Sequence, residues 1–383
     1  MLVLARLFVF FMMEQNEFLL YGAYGYTGEL IARYTIAGPD NPLNEVLQQY
    51  SLTPVLAGRR EDALKPLAEK LSVPYKVIDL NDEVALIDAL QRVKVVVHAA
   101  GPYHLTAKQM IDACLKTGTH YIDLNGDMEV FEMLESYHAA ATASNIMILP
   151  GAGFDVVPTD CVALSLKKLL PDATDLKIAF ATPGGGMSKG TAVTTGLKLG
   201  QPGAVRKAGQ IVARPVGENG RWIKFFRGTS KADKKFFVMS IPWGDVFTAY
   251  HTTGIPNIET FTGISPLTYL FVKVQRLFNW LLRKPFLQKI ITKKMHKGAA
   301  GPADEQRTKA TAVVWAQATN PSGKTATVRL SCPDAYTLTA YTAILITQKI
   351  LQGNFKPGYQ TPAAVYGENL VMEAPGVERK IEE

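Results

Sequence analysis

Cysteine is scarce in this 383-residue chain. Cys114, Cys161 and Cys332 lie far apart, odd in number and without a CxxC pair. That pattern excludes a disulfide framework or a zinc-finger site and makes a reducing, cytoplasmic compartment the expectation. The six histidines show no HExxH and no paired spacing, so no metal is expected. No GxSxG turn is present to expose a nucleophilic serine. The basic residues do not interleave with a nucleic-acid recognition fold, so no nucleic acid is expected as a partner. Internal repeats and low-complexity blocks are absent. The opening run MLVLARLFVFFMM is apolar, but it is shorter than the roughly 20 residues of a spanning helix. No A-x-A cleavage site follows it. Translation from Met12 or Met13 is the favoured reading of residues 1–12, and a membrane anchor is the alternative.

What is present is an ordinary globular composition, 47% hydrophobic and 20% charged, in a chain long enough for two domains. The net charge of +7 favours anionic partners such as phosphates or anionic lipid. The most informative stretch is Phe18 to Arg33, FLLYGAYGYTGELIAR. An apolar run, Phe18 to Tyr21, reads as a buried strand. Gly22, Gly25 and Gly28 follow at spacing three, and Glu29 to Arg33 reads as the opening of a helix. Strand, glycine turn and helix make a phosphate cradle. The first glycine permits a tight turn, the second admits a pyrophosphate to the backbone, and the third lets helix and strand pack closely. The helix N-terminus adds N–H donors and partial positive charge. Gly22, Ala23, Tyr24, Gly25, Tyr26, Thr27 and Gly28 are therefore candidate cofactor-binding residues. A plain glycine turn is the other reading.

Thr53 to Gly58 reads as a second strand, ending in Arg59-Arg60. An acid at this tip suits a free ribose 2′-OH, whereas a guanidinium pairs with a 2′-phosphate in a planar fork. The expected cofactor is NADP, with Arg59 and Arg60 as its readers. Helices over 61–71 and from Asn81 or Asp82 to Leu90 follow from apolar spacing and capping. Strands are expected over 75–80, 93–100, 120–124 and 146–150, with a helix over 106–117. The fourth strand ends at Ala100-Gly101-Pro102, on the sheet edge where open α/β sheets bind ligands, so these three join the candidates. The alternation predicts a Rossmann-type doubly wound parallel sheet over residues 16–150. From about Asp175 the texture turns β-rich, over 176–182, 236–241, 309–320 and 325–331. A second α+β domain over 151–334, for substrate or dimerisation, is the expectation. A helix is expected over 336–351, and the charged tail 378–383 is expected to fray.

The chain resembles the saccharopine dehydrogenase-like oxidoreductases, in particular their trans-acting enoyl reductase branch. The resemblance rests on Gly22 to Gly28, Leu56-Ala57-Gly58-Arg59, Ala100 to Tyr103, and Gly118-Thr119-His120-Tyr121-Ile122-Asp123. It continues through Gly153-Phe154-Asp155, Val157 to Asp160, Ser188 to Thr191 and Thr361 to Ala364. Asn125-Gly126-Asp127 stands where the family more usually has Thr-Gly-Glu. The resemblance implies an NADP-binding Rossmann domain and a mixed second domain. It also implies a C-terminal segment, about 335–383, that returns to the first domain. The implied reaction is hydride transfer to a C=C or C=N bond of a lipid-like or amino-acid-derived substrate. A nucleotide-binding scaffold without turnover is the alternative.

Tyr103 and Asp155 are the candidate catalytic groups. Tyr103 either donates a phenolic proton or lines the nicotinamide ring, and Asp155 either takes part in the chemistry or caps a turn. Ser188 and Thr191 either bind a substrate carbonyl or cap a helix. Tyr269-x-x-x-Lys273 has the spacing of a reductase dyad but lies in an apolar helical stretch and reads as coincidence. That stretch, opened by Ser265-Pro266, carries one apolar stripe from Leu267 to Leu282, and no acid occurs between Glu259 and Asp304. An apolar face with basic flanks over 266–297 reads either as peripheral contact with an anionic membrane or as a face packed on the second domain or a homodimer partner.

Overall fold

The computed structural model describes residues 17–36, 41–49, 51–198, 200–284, 286, 287, 290 and 300–382. The opening run, the loop about Pro39, Pro285 and the lysines Lys289, Lys293, Lys294 and Lys297 lie outside the described residues. The chain divides into two compact units. The first comprises Met1–Asn125, Glu129–Phe154 and Thr339–Thr361; the second comprises Gly126–Met128, Asp155–Leu338 and Pro362–Glu383.

The first unit is built on short, mostly apolar strands. They are β1 (Glu17–Tyr21), β2 (Thr53–Gly58), β3 (Tyr75–Val77), β4 (Val95–His98), β5 (His120–Asp123) and β6 (Met147–Leu149). With Gly358–Tyr359 they form a seven-stranded sheet ordered β3-β2-β1-β4-β5-β6 and then Gly358–Tyr359. Every described pairing is parallel. Parallel strands are covered on both faces, which is why Phe18, Leu19, Leu20 and Val95 to Val97 are fully buried. The order reverses between β1 and β4, and at such a switch point the strand ends open a crevice.

Helix Glu61–Leu71 has the expected bounds and buries Leu64, Leu67 and Ala68. Helix Glu83–Leu90 is capped by Asp82, whose side chain accepts from the Ala85 N–H at 3.0 Å. Strand β3 stops earlier than expected because Asp79 turns the chain, its carboxylate accepting from the Asn81 N–H at 2.9 Å. Helix Tyr103–Thr117 begins three residues before the expected 106. Helices Met128–Glu135 and His138–Ala143 were not expected.

The second unit holds a nine-stranded mixed sheet. Its strands are β7 (Asp175–Ala181), β8 (Gly203–Lys207), β9 (Gln210–Arg214), β10 (Gly220–Phe225), β11 (Lys234–Ser240), β12 (Asn257–Gly263), β13 (Thr311–Thr319) and β14 (Thr325–Pro333), with Glu378–Glu382. Only β7 and β12 pair in parallel among the described residues. Phe225, Val238, Phe261, Val313 and Trp315 form its core. The tail expected to fray is the edge strand Glu378–Glu382, paired with β14 and held by Arg329 to Glu382 at 2.5 Å. The whole is the α/β Rossmann-type architecture with a second α+β unit that the alternation of elements predicts.

Candidate nucleotide-binding site

The glycine turn after β1 is closed by its own backbone. The Gly22 N–H donates to the Ala57 carbonyl at 2.8 Å and the Gly25 N–H to the Gly22 carbonyl at 2.9 Å. Gly22 has φ of +87°, a conformation that side chains resist. A Cβ there would lie 2.8 Å from the Cβ of Ala100, and one at Gly28 would lie 2.3 Å from the Gly22 carbonyl oxygen. Both glycines are thus fixed by close approach, Gly22 to the end of β4 and Gly28 to the turn itself. Helix Tyr26–Thr35 starts from Gly25, which has no side chain to cap it. An anion at that N-terminus finds backbone N–H groups and the positive end of the helix dipole. These clearances fit a pyrophosphate.

At the end of β2, a Cβ on Gly58 would lie 2.5 Å from the Tyr24 ring, so Tyr24 packs across this strand end. The two arginines beyond it differ. Arg60 makes a two-pronged contact with Asp62, at 2.5 Å and 3.2 Å, on the exposed surface. Arg59 is exposed and makes no hydrogen bond or ion pair with the described residues. Its charge acts on Tyr21, whose phenol is nonetheless pushed up to about 12, mainly by burial.

The β4 end carries His98, Ala99, Ala100, Gly101 and Pro102. Thr106 ties this turn down, its hydroxyl lying 2.9 Å from the Ala100 carbonyl and 3.2 Å from that of Pro102. The same hydroxyl is 3.0 Å from His98 Nε2. With the hydroxyl donating to a carbonyl, it accepts from Nε2–H, which leaves Nδ1 bare and buried, without a hydrogen-bond partner among the described residues. Burial holds the His98 pKa down to about 3, so the ring stays neutral. Tyr103 opens the next helix, its ring edge-on to His98 at 5.4 Å and its hydroxyl donating to the His98 carbonyl at 3.3 Å. One strand on, the Asp123 carboxylate accepts from Tyr121, Asn125 N–H and Gly151 N–H, and burial still raises its pKa to about 6.

The glycine turn and the β4 turn therefore meet at the switch point, with Ala23, Tyr24, Tyr26 and Thr27 on the first and Ala100, Gly101 and Pro102 on the second. Gly58, Ala99, His98 and Thr106 belong to the same constellation but were not among the candidate site residues. A glycine at a strand tip is a readable signal for the first; the Thr106 contact needs the fold.

Asp155 belongs to the second unit. It is half-buried, and a Cβ on Gly126 would lie 2.7 Å from its carboxylate. Desolvation raises its pKa to about 6, with Lys198 pulling the other way. Trp243 Nε1 donates to its carbonyl at 2.9 Å. Burial and the neighbouring Asp160 and Asp155 push the fully buried Asp245 well above the usual carboxylate range. Ser188 caps helix Lys189–Leu197, accepting from the Thr191 N–H at 3.2 Å, and its own N–H donates to Tyr336 at 2.6 Å. Lys273 sits over the Tyr269 ring at 5.2 Å and donates to the Glu218 carbonyl at 2.8 Å, so that pair packs a helix. Among the described residues no group of three or more His, Cys, Asp or Glu is arranged to hold a metal.

A parallel sheet with a glycine cradle at its switch point is the architecture of a dinucleotide-binding domain. Residues 18–149, which run from β1 to β6, match the family model described as the saccharopine dehydrogenase NADP binding domain. The match covers this segment, about a third of the chain, and the cofactor it supports is NADP. Over 218 residues the chain is 26% identical to the saccharopine dehydrogenase-like oxidoreductase of Mus musculus, covering 51% of this chain and 49% of the relative. It is 29% identical over 170 residues to the trans-acting enoyl reductase of Mycobacterium leprae (strain TN), covering 42% and 38%. The chain thus spans about half the length of these curated relatives, or less. Among solved structures, apo saccharopine dehydrogenase (L-Glu forming) from Saccharomyces cerevisiae superimposes with a TM-score of 0.65 at 12% identity, over 96% of this chain and all of the other. Homospermidine synthase from Legionella pneumophila, solved with NAD, gives 0.59 at 10% identity, over 96% and 91%. At these identities the likeness shows the fold alone.

Proposed function

We propose that the protein is an NADPH-dependent reductase of a C=C or C=N bond in a lipid-like or amino-acid-derived small molecule. The observation that carries this reading is the glycine cradle at the β1/β4 switch point, inside a segment that matches an NADP-binding domain. The names of the relatives, an enoyl reductase and saccharopine dehydrogenase-like oxidoreductases, support the choice of bond. When bound, NADPH supplies the hydride. The chain's own part is to hold and orient it. Backbone N–H groups at the start of helix Tyr26–Thr35 take the pyrophosphate. Arg59 takes the 2′-phosphate, because Arg60 is already engaged by Asp62. Thr106 and neutral His98 fix the β4 turn. Asp155 holds a proton that leaves near neutral pH, its carboxyl raised to about 6, and is the proposed proton source. Tyr103 lines the site.

One observation favours a second reading, a nucleotide-binding scaffold without turnover: the Tyr103 hydroxyl is committed to the backbone carbonyl of His98. Calorimetry followed by NADPH consumption with enoyl thioesters and cyclic imines separates the two. Arg59→Ala is expected to weaken NADPH at least about tenfold, about 1.4 kcal/mol, and to leave NADH unchanged. Arg60→Ala is expected to change either by less than about twofold, the scale of an exposed ion pair. If NADPH binds no better than NADH, the assignment of Arg59 is wrong. Tight binding without oxidation by any substrate selects the scaffold.

A further inference from the structure

The helix that opens at Ser265-Pro266 is inside out. Ser265 caps it, its hydroxyl accepting from the Thr268 N–H at 3.0 Å. Pro266–Gln275 continues through Arg276–Phe278 and Asn279–Leu282, and none of these three segments buries a single residue. The stripe at spacing three and four that would ordinarily face a core faces solvent. Leu267 is 78% exposed, Phe271 67% and Leu277 73%, with Leu270, Val274 and Phe278 filling the row between them. Trp280 extends it, 64% exposed.

The opposite side is what the unit holds. The Tyr269 ring lies 5.0 Å from that of Phe237 and against Gly220, where a Cβ would come within 2.7 Å of it. Lys273 donates to the Glu218 carbonyl at 2.8 Å, Arg276 to that of Val216 at 3.0 Å and Arg283 to that of Gly200 at 2.6 Å. Three cations thus clamp the helix to backbone oxygens with its apolar row turned outward. A row this long and this exposed marks an interaction surface.

Charge selects the occupant. From residue 260 to residue 303 the sequence holds eight lysines and arginines and no acid. A second copy seated on the same face would bring two such acid-free segments together, since a two-fold interface repeats one patch on both sides. Like charges would meet without counter-charges. An anionic bilayer offers both what the row needs and what the remaining cations need: acyl chains for the leucines and phenylalanines, and phosphate or carboxylate headgroups for Lys284 and for the charge that the acid-free sequence after it carries. Tryptophan at one end suits the headgroup boundary. No described helix is long and apolar enough to cross a membrane, so the segment would lie in the interface plane.

We propose that the outward face of residues 266–284 docks this protein on anionic phospholipid bilayers. The inference is independent of whether the enzyme turns over. The test is co-sedimentation of the full chain with phosphatidylcholine vesicles, with and without phosphatidylserine. The wild type is expected to bind the anionic vesicles at least about tenfold more tightly than the neutral ones, and to lose that binding as salt is raised. The variant Leu270→Glu/Phe271→Glu is expected to lose at least about tenfold in vesicle binding while its melting temperature and NADPH affinity stay at wild-type values. Leu277→Glu provides the same readout one turn further on. Absence of wild-type binding, equal binding to neutral vesicles, or unchanged binding of both variants overturns the proposal. So does a wild-type dimer, seen by light scattering, that becomes monomeric in the double variant, because the face would then belong to a second copy.

Discussion

Strand β4 and helix Pro266–Gln275 are both apolar stretches, and they have opposite fates. Val95, Val96, Val97 and His98 are fully buried in the centre of the parallel sheet. Not one residue of Pro266–Gln275 is buried. Hydrophobicity alone therefore does not say where a segment lies. In β4 the backbone is committed to two neighbours, β1 and β5, and helices cover both faces, so every side chain goes inward. In the helix the backbone satisfies itself, and the cations decide which side meets the protein. The helix is free to present its apolar row to something else.

Substituting an acid in each region breaks or sharpens this contrast most sharply. Val97→Asp places an unpaired charge in a fully buried strand, at several kcal/mol, and is expected to leave no folded protein. Leu270→Asp is expected to shift stability by no more than about 0.5 kcal/mol in urea titrations. Comparable losses at the two positions would mean that the helix is covered in solution.

The next largest effect tests close approach at the cradle. Gly28→Ala forces a Cβ to within 2.3 Å of the Gly22 carbonyl oxygen. The expected cost is about 2 to 3 kcal/mol of stability, together with at least tenfold weaker NADPH binding by calorimetry. Unchanged NADPH affinity in a folded Gly28→Ala protein would remove the cradle from the site.

The smallest effect concerns His98. Its folded pKa, about 3, lies below the unfolded value of 6.5. Its contribution to stability is present above pH 6.5 and is lost as pH falls toward 3, because the unfolded chain then binds the proton that the buried ring refuses. Asp123 and Asp155 act in the opposite sense. Their folded values are raised to about 6, so their contribution is full below the unfolded value and is lost as pH rises through about 6. The wild-type curve alone therefore mixes the two signs. The difference between wild type and His98→Gln isolates the histidine, and is expected to move against the wild type by about 2 kcal/mol between about pH 6.5 and about pH 5. A flat difference would show that the ring is not held neutral.

Much of the first unit was legible because its signals are local. Glycine spacing, β-branched runs and the Asp82 cap each act within a few residues. Helix Glu61–Leu71 could be bounded to the residue because apolar spacing and flanking turns agree. Strands β8, β9 and β10 were not seen, since GAVRK, QIVAR and GRWIKF mix charge with few apolar residues. They are strands because partners distant in sequence offer hydrogen bonds, as Val238 does opposite Arg221 in β10. The tail ERKIE has the composition of a fraying end, yet β14 gives it an edge to pair with. At the site, the arginine pair was visible as a pair. That Asp62 occupies Arg60, while Arg59 makes no such contact with the described residues, depends on side-chain geometry at the start of a helix.

The order of residues by itself determined the alternation of strand and helix, the glycine turn and the cationic, acid-free segment after residue 259. These are properties of short windows, where backbone freedom and side-chain type act directly. Tertiary structure alone decided that Gly22 meets Ala100, that Thr106 locks the β4 turn to His98, and that the helix after Ser265 turns its apolar row outward. Each of those is a contact between groups separated in sequence, and only packing in three dimensions can choose among the partners that chemistry allows.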